Sequence, residues 1–146
     1  MIVNTQRYLC QIKILDTKIK QKQEQYNQLY ESAHSVGAVR YEREPVQTSK
    51  TNDAIERSII RYLELEEEIK DETLKFQKTK HKIINEIQEL DDDRFINLLY
   101  KKYVEYKPMN MIAEEMCYSY DYVKELHRNS LKAFEDKHPT ISHHEV

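Results

Sequence analysis

The chain has little glycine and proline and no long apolar run. Gly occurs once and Pro three times among 146 residues, so β-rich architectures lack the residues that their tight turns need. We therefore expect an all-α protein. No apolar stretch approaches the length of a membrane span, and the N-terminal segment has no small-residue cleavage site. These absences predict a soluble, cytoplasmic protein that has no membrane partner.

Cysteine is also scarce, and motifs of catalysis are missing. Cys10 and Cys117 lie far apart without Cys-x-x-Cys or Cys/His spacing, which argues against a disulfide framework and against a zinc site. There is no Gly-rich phosphate loop, nucleophile elbow or metal triad. We expect no enzyme activity, no metal and no cofactor.

The chain lacks a strong charge of one sign. Charged residues make up 34% of it, yet the formal net charge is only −3. Acidic groups concentrate in residues 64–72 and 91–93, so no global positive field attracts nucleic acid. Any DNA binding must be local and assisted.

Two apolar stripes with coiled-coil spacing dominate the first 90 residues. A first helix, from Thr5 to Ala33, carries a stripe interrupted at Lys22. Asp53 is expected to cap a second helix, Ala54 to Leu90, whose apolar positions repeat every seven residues. The first stripe comprises Ile12, Leu15, Ile19, Tyr26, Leu29 and Ala33, and the second Ile55, Tyr62, Ile69, Phe76, Ile83 and Leu90.

The stretch between these helices, residues 34–52, loses the periodicity and contains Gly37, Pro45 and the polar run QTSKTND. It is predicted to be a loop, because no single helix could continue through it. Residues 1–90 then form a long antiparallel helical hairpin. The hairpin either buries only its own stripes or pairs with a second copy through one face, and heptads alone do not separate these alternatives.

The last third reads as three shorter helices. Asp93 to Tyr106 forms the first, Met109 to Met116 the second after Pro108, and Tyr120 to Glu135 the third. Ala113 is small where two helices would cross, and Cys117 occupies a sharp turn where glycine is usual. This spacing is typical of a helix-turn-helix in residues 91–137, although three small helices could also pack with no partner. Residues 138–146 are expected to be a disordered tail.

The segment from Leu90 to Phe134 resembles region 4 of bacterial sigma factors. More narrowly, YLELEEEI at Tyr62, KYVEYKPMNMIAEEM at Lys102 and YSYDYVKELHRNSLKAF at Tyr118 resemble phage regulators of the ArpU/RinA kind, which include late-transcription regulators of phages of Gram-positive bacteria. The resemblance implies an activator of phage late genes that reads promoter DNA in a host bacterial cell. It covers about half the chain, and Cys117 departs from the expected glycine.

Carried over to this chain, the resemblance places a recognition helix after Ser119. Its exposed face would read base edges, with Lys124 suited to guanine, Asp121 and Glu125 to cytosine, and Asn129 to adenine. Phosphates would be held by cations and hydroxyls near the turn and further along the helix. The predicted DNA-binding residues are Lys107, Ser119, Tyr120, Asp121, Tyr122, Lys124, Glu125, Arg128, Asn129 and Lys132. Of the other tyrosines, Tyr103 and Tyr118 are predicted to be in the core.

Basic and acidic side chains nearly balance between Lys107 and Lys137, so one copy should bind DNA weakly. Dimerisation through the hairpin, or docking beside host RNA polymerase, would compensate. Two further interpretations stay open. The module could bind RNA polymerase or another regulator with DNA contact incidental, or the chain could be a ring-forming adaptor of the small-terminase type.

Overall fold

A computed structural model describes residues 2–39 and 48–139. Within these ranges the chain forms helices joined by short connections, and no strand occurs. The elements are α1 (Ile2–Val39), α2 (Thr48–Gln88), α3 (Asp93–Leu99), a π-helical turn (Tyr100–Val104), α4 (Met109–Met116) and α5 (Tyr120–Lys137). The all-α prediction is confirmed. In the described part of the chain, none of the helices has a stretch long and apolar enough to cross a membrane.

The predicted loop over residues 34–52 was too long. Helix α1 continues through Gly37 to Val39, and α2 begins at Thr48, so Asp53 lies inside α2 and does not cap it. A single glycine costs a helix only about 1 kcal/mol relative to alanine and does not end it. The polar residues before Asp53 are helix-compatible, since only proline forbids the conformation outright. Pro45 and the rest of residues 40–47 lie outside the described residues.

The chain divides into two compact units, and the division differs from the predicted boundary at residue 90. The larger unit comprises residues 1–15 and 76–146, and the smaller unit comprises residues 16–75. The first turns of α1 and the last turns of α2 therefore belong with the C-terminal helices. The physical reason is that their apolar side chains share one core with those helices.

In the smaller unit, segments of α1 and α2 pair in antiparallel order along a thin seam. Lys22 lies 3.7 Å from Glu68 and 3.5 Å from Glu72, and the rings of Tyr26 and Tyr30 both contact that of Tyr62. The buried apolar side chains among the described residues of this unit are Ile19, Ala33 and Leu65, and each keeps a small exposed fraction. The interruption predicted at Lys22 is thus filled by ion pairs across the seam.

The larger unit encloses an apolar core to which every one of its helices contributes. Leu9 and Ile12 of α1, Ile83 of α2 and Phe134 of α5 are all completely buried. The hydroxyl of Tyr8 donates a hydrogen bond to the carboxylate of Glu86 and links α1 to α2. This core fixes α5 from beneath and leaves its opposite face in solvent.

The predicted single helix from Asp93 to Tyr106 is interrupted by the π-helical turn. Glu105 N donates to Tyr100 O, five residues earlier, at 3.1 Å, the spacing that defines a π-helix. Leu98 and Leu99 are followed in the core by Tyr103 and Val104, each five residues further on. Lys102, which α-helical spacing would place on the apolar face, is therefore not buried. Tyr106 then takes a left-handed conformation, with φ 60°, and ends the segment.

The predicted tail began too early, since His138 packs against the larger unit. Its ring lies 4.9 Å from that of Phe134, and its Nε2 is 3.1 Å from the carbonyl oxygen of Glu86. An aromatic neighbour and a backbone acceptor hold the side chain in place. Residues 140–146 lie outside the described residues.

Candidate nucleic-acid interface

Helix α4 ends in a tight left-handed turn at Cys117. Its backbone has φ 60° and ψ 39°, a conformation that costs most residues about 1–2 kcal/mol and that glycine adopts freely. Cys117 N donates to Glu114 O at 3.2 Å, and Tyr118 N donates to Ala113 O at 2.9 Å. This pair of hydrogen bonds is the Schellman arrangement, which satisfies the last carbonyls of a helix. The prediction of a sharp turn at Cys117 is confirmed.

Helix α5 begins at Tyr120, and Ser119 caps it. Its hydroxyl accepts a hydrogen bond from Tyr122 N at 3.2 Å, and its carbonyl accepts one from Val123 N at 3.0 Å. The carboxylate of Asp121 lies in the first turn, where the helix dipole favours negative charge. Three residues thus connect α4 to α5, which is the longest helix of the C-terminal third.

Four apolar side chains of α4 and α5 differ in how far they are buried. Ile112 and Val123 are completely buried, Leu126 is nearly so, and Met116 is only partly buried. Ala113 is 5% exposed, which agrees with the expectation that a small residue is needed where the helices cross. Because three of the four sit in the core, the angle between α4 and α5 is fixed by apolar packing.

A polar contact inside the larger unit fixes the middle of α5. The hydroxyl of Tyr103 lies 2.7 Å from Nε2 of His127, and the two rings stack at 5.8 Å. Burial, with a smaller contribution from the charge of Lys102, lowers the pKa of His127 to about 4. The imidazole is therefore neutral near pH 7, and it shares one hydrogen bond with the Tyr103 hydroxyl. Burial likewise raises the pKa of Tyr103, so the hydroxyl stays protonated.

One face of α5 projects into solvent along its length. Lys124 is stacked with its Nζ 5.4 Å from the centre of the Tyr120 ring, and Tyr120 itself is 50% exposed. No ion pair involves Lys124, Arg128 or Lys132 among the residues that the structure describes. The predicted residues on this exposed face are Tyr120, Asp121, Lys124, Glu125, Arg128, Asn129 and Lys132.

Tyr122, predicted as a DNA contact, is engaged within the protein instead. Its ring packs edge-on against Tyr118 at 4.8 Å, and its hydroxyl accepts a hydrogen bond from Arg94 Nη1 at 2.7 Å. Arg94 also pairs with Asp92 at 2.7 Å, and its hydrogen bond lowers the pKa of that carboxyl. Tyr122 therefore joins the start of α5 to the start of α3, because one guanidinium can bridge both partners.

Lys107, also predicted to contact phosphate, lies in an ion-pair cluster. Its Nζ is 2.7 Å from Glu115 and 3.2 Å from Glu105, while Lys101 approaches Glu115 at 3.7 Å. The hydrogen bond that Lys107 donates to Glu115 lowers the pKa of Glu115 and raises the pKa of Lys107. Two lysines thus pair with two glutamates, and Lys107 has acidic partners within the protein.

The burial of Tyr118 also differs from the prediction. Tyr118 was expected in the core, but it is 37% exposed. Met111, in the first turn of α4, is 45% exposed. Tyr103 is buried as predicted. The sequence reasoning did not identify Arg94, and the signal that could have found it is the Asp92-x-Arg94 spacing at a helix start, which suits a side-chain pair. No spacing rule links Arg94 to Tyr122, since that contact depends on how α3 and α5 pack.

The chain was also compared with known proteins. No protein-family model matches it, and no curated protein or solved structure matches it.

Proposed function

We propose that this protein is a transcription regulator that binds duplex DNA through α4 and α5, which act as a helix-turn-helix with α5 as the recognition helix. The observation that carries the proposal is the solvent face of α5, where Lys124, Arg128 and Lys132 have no ion-pair partner among the described residues. Cations held on a rigid, well-packed helix are available for phosphates and base edges. The buried face of α5 supplies the rigidity.

The exposed side chains divide into base-reading and phosphate-holding groups. Lys124 can donate to guanine O6 and N7, Asn129 can pair with adenine, and Asp121 or Glu125 can accept from cytosine N4. Arg128 and Lys132 follow Lys124 at intervals of four residues on the same side of the helix and suit phosphates. In this proposal Tyr122 and Lys107 orient the module, and they are not themselves DNA contacts.

The particular role that we propose is activation of phage late genes, with host RNA polymerase as a partner on the promoter. It rests on the resemblance of the C-terminal third to sigma factor region 4 and to the ArpU/RinA kind of regulator. The near balance of charge around α5 supports a partner, because a single neutral module binds DNA weakly. A second binding surface on the same promoter raises the effective concentration of the first.

Footprinting tests the proposal on the full chain. Wild-type protein is expected to protect a segment upstream of its late operon, and Lys124→Ala/Arg128→Ala is expected to lose that protection. Lys18→Ala/Lys20→Ala, which removes the same charge from the smaller unit, is the matched control and should protect as wild type does. Absence of a protected segment with wild-type protein would refute DNA recognition.

We also propose that the smaller unit pairs two copies of the chain. On α2, Ile60 and Leu74 are 56% and 53% exposed, and Leu63 between them is 49% exposed. Leu63 follows Ile60 by three residues and Leu74 follows Ile60 by two heptads, so the three side chains lie on one face, as in a coiled-coil seam. Ile60→Lys/Leu63→Lys is expected to convert a dimer into a monomer in analytical ultracentrifugation. A wild-type monomer would exclude this pairing, and a ring of many copies would favour the packaging-adaptor interpretation.

The exposure of Met111 and Tyr118 favours a second candidate function, in which the module binds a protein and DNA contact is incidental. Tyr118 lies at the turn and Met111 lies in the first turn of α4, and an apolar contact with these side chains would suit RNA polymerase or another regulator. In that case Met111→Glu/Tyr118→Glu would abolish reporter output while Lys124→Ala/Arg128→Ala would leave it unchanged. The opposite result supports DNA reading by α5.

A further inference from the structure

A second basic surface lies on α2, outside the proposed helix-turn-helix. The segment from Phe76 to Asn85 contains three lysines and one histidine and no aspartate or glutamate. The rest of the chain must therefore be more acidic than the net charge of −3 suggests. A stretch of one sign within an acidic chain is the kind of local field that attracts a polyanion.

The exposed and buried positions of this segment separate cleanly. Lys78, His81, Lys82 and Asn85 are exposed and lie at spacings of three, four and seven residues, which place them on one face of the helix. The opposite face carries Ile83, which is completely buried. Because Ile83 anchors the helix in the core of the larger unit, the basic face is held rigidly in solvent.

Some lysines of the long helices pair with acidic groups, whereas the two exposed lysines of this face do not among the described residues. Lys20 pairs with Asp16 at 3.4 Å, and Lys70 pairs with Glu67 at 3.7 Å. Among the described residues, no carboxylate forms an ion pair with Lys78 or Lys82, although their spacing of four residues places like charges next to each other. Like charges four residues apart repel each other weakly, and a bound anion would relieve that repulsion.

Two further contacts involve side chains of this segment, although Lys80 lies on the other side of the helix from Lys78 and Lys82. Lys80 is half-buried, with its Nζ 5.6 Å from the centre of the Phe76 ring. Asn85 Nδ2 lies 3.2 Å from His81 Nε2, so the amide and the imidazole are held together between the lysines and the end of α2. Lys78 and Lys82 are separated by about 6 Å along the helix axis, which suits contact with successive charges of a phosphate backbone.

We propose that the face of α2 formed by Lys78, His81, Lys82 and Asn85 binds the phosphate backbone of duplex DNA, independently of base sequence. The inference rests on the proposed DNA-binding function and extends it, because it supplies the cations that the near-neutral surroundings of α5 lack. Phosphate contacts of this kind strengthen binding to any duplex and leave sequence preference unchanged. An acidic protein surface is the competing occupant.

The test is a salt titration of DNA binding by the full chain, measured by fluorescence anisotropy with a labelled 30-base-pair duplex of mixed sequence. Lys78→Gln/Lys82→Gln is expected to reduce the slope of log K against log salt by about 1.8, since each phosphate contact contributes about 0.9. At 0.1 M salt its affinity should fall roughly tenfold to sixtyfold. Lys78→Arg/Lys82→Arg should restore both values, and circular dichroism verifies that the variants fold.

Lys18→Gln/Lys20→Gln removes the same charge from the smaller unit and serves as the matched control. An equal loss of slope in this control, or an unchanged slope in Lys78→Gln/Lys82→Gln, would overturn the proposed backbone contact. Binding of a polyglutamate peptide through Lys78 and Lys82, without duplex binding, would overturn it in favour of a protein partner.

Lys124→Ala/Arg128→Ala, measured in the same titration, separates this inference from the proposed function. If only that variant loses affinity, α5 binds DNA and the face on α2 does not. If only the Lys78→Gln/Lys82→Gln variant loses affinity, the face on α2 binds DNA and the proposed role of α5 fails. Both losses together support both proposals.

Discussion

The two units of this protein are built from segments of the same long helices, yet their interiors differ in kind. In the larger unit, side chains such as Leu9, Ile83 and Phe134 are completely excluded from solvent. In the smaller unit, charged Lys22 and three partly exposed tyrosines take places along the seam. Two helices alone can cover only one stripe of each other, whereas additional helices close a core on several sides. The number of packed helices, more than their length, therefore determines how completely an interior excludes solvent.

The largest expected effect comes from creating a cavity in the core of the larger unit. Phe134→Ala removes a completely buried ring that contacts Tyr8 at 6.1 Å and His138 at 4.9 Å. It should lower the free energy of unfolding by about 3–5 kcal/mol. Tyr62→Ala in the smaller unit should cost about 1–2 kcal/mol, because its ring is already partly solvated. Urea denaturation followed by circular dichroism measures both, and equal losses would remove the contrast between the units.

A pH titration of stability tests the polar contact within the larger unit. The pKa of His127 is about 4 in the folded chain, below its ordinary 6.5. As pH falls from 6.5 toward 4, the unfolded chain takes up the proton first, so the free energy of unfolding decreases over that window. Above pH 6.5 the full contribution of the neutral His127 to stability is present. The loss should be about 1–2 kcal/mol, reduced from the full shift because the ring is partly solvated.

His127→Gln has no imidazole to titrate and is the reference for that experiment. Urea unfolding of both proteins between pH 4 and pH 7 isolates the His127 contribution from carboxylates that they share. The difference between the two proteins should narrow or reverse as the pH falls. Curves that stay parallel over this range would contradict the burial argument for His127.

Replacing the ion pairs of the smaller unit by an apolar contact should make its seam more like the other core. Lys22→Leu is expected to raise the free energy of unfolding by about 1 kcal/mol, since partly exposed ion pairs contribute little and leucine at a seam position packs better. Lys20→Leu, at an exposed position, should change it by less than about 0.5 kcal/mol. Thermal unfolding compares them, and a destabilised Lys22→Leu variant would mean that the ion pairs are favourable overall.

The smallest expected effect concerns the turn before α5. Cys117→Gly should raise the free energy of unfolding by about 0.5 kcal/mol, because glycine relieves the left-handed backbone but loses entropy on folding. Cys117→Ala retains a Cβ and should leave stability nearly unchanged. Chemical denaturation of both variants measures this difference. If glycine destabilised the protein more than alanine did, the thiol would have a packing role that its exposure does not suggest.

Periodicity and capping rules predicted the helices well wherever neighbouring residues in the sequence determine the structure. Ser119 at the start of α5 and the bend at Cys117 follow from local chemistry, and the structure confirms both. The π-helical turn could not be foreseen, because Tyr103 and Val104 enter the core only if the helix widens by one residue. The continuation of α1 through Gly37 was missed because a local breaker was given too much weight relative to the long helix on either side of it.

The candidate interface was predictable to a similar extent. Helical spacing from buried Val123 and Leu126 correctly predicts that Lys124, Arg128 and Asn129 face solvent. Partners from other elements were not predictable, since Arg94 reaches Tyr122 and Glu115 reaches Lys107 only through packing. The charge of each residue is written in the sequence, but whether that charge is free for a ligand depends on the tertiary structure.

The left-handed turn provides a position at which the protein can be labelled for binding experiments. Cys117 is exposed while Cys10, the other cysteine of the chain, is half-buried. In a Cys10→Ala background, a maleimide dye or a nitroxide would attach at the bend between α4 and α5. Its mobility and its distance to a label on a second copy or on an oligonucleotide would then report directly on what approaches that end of the helix.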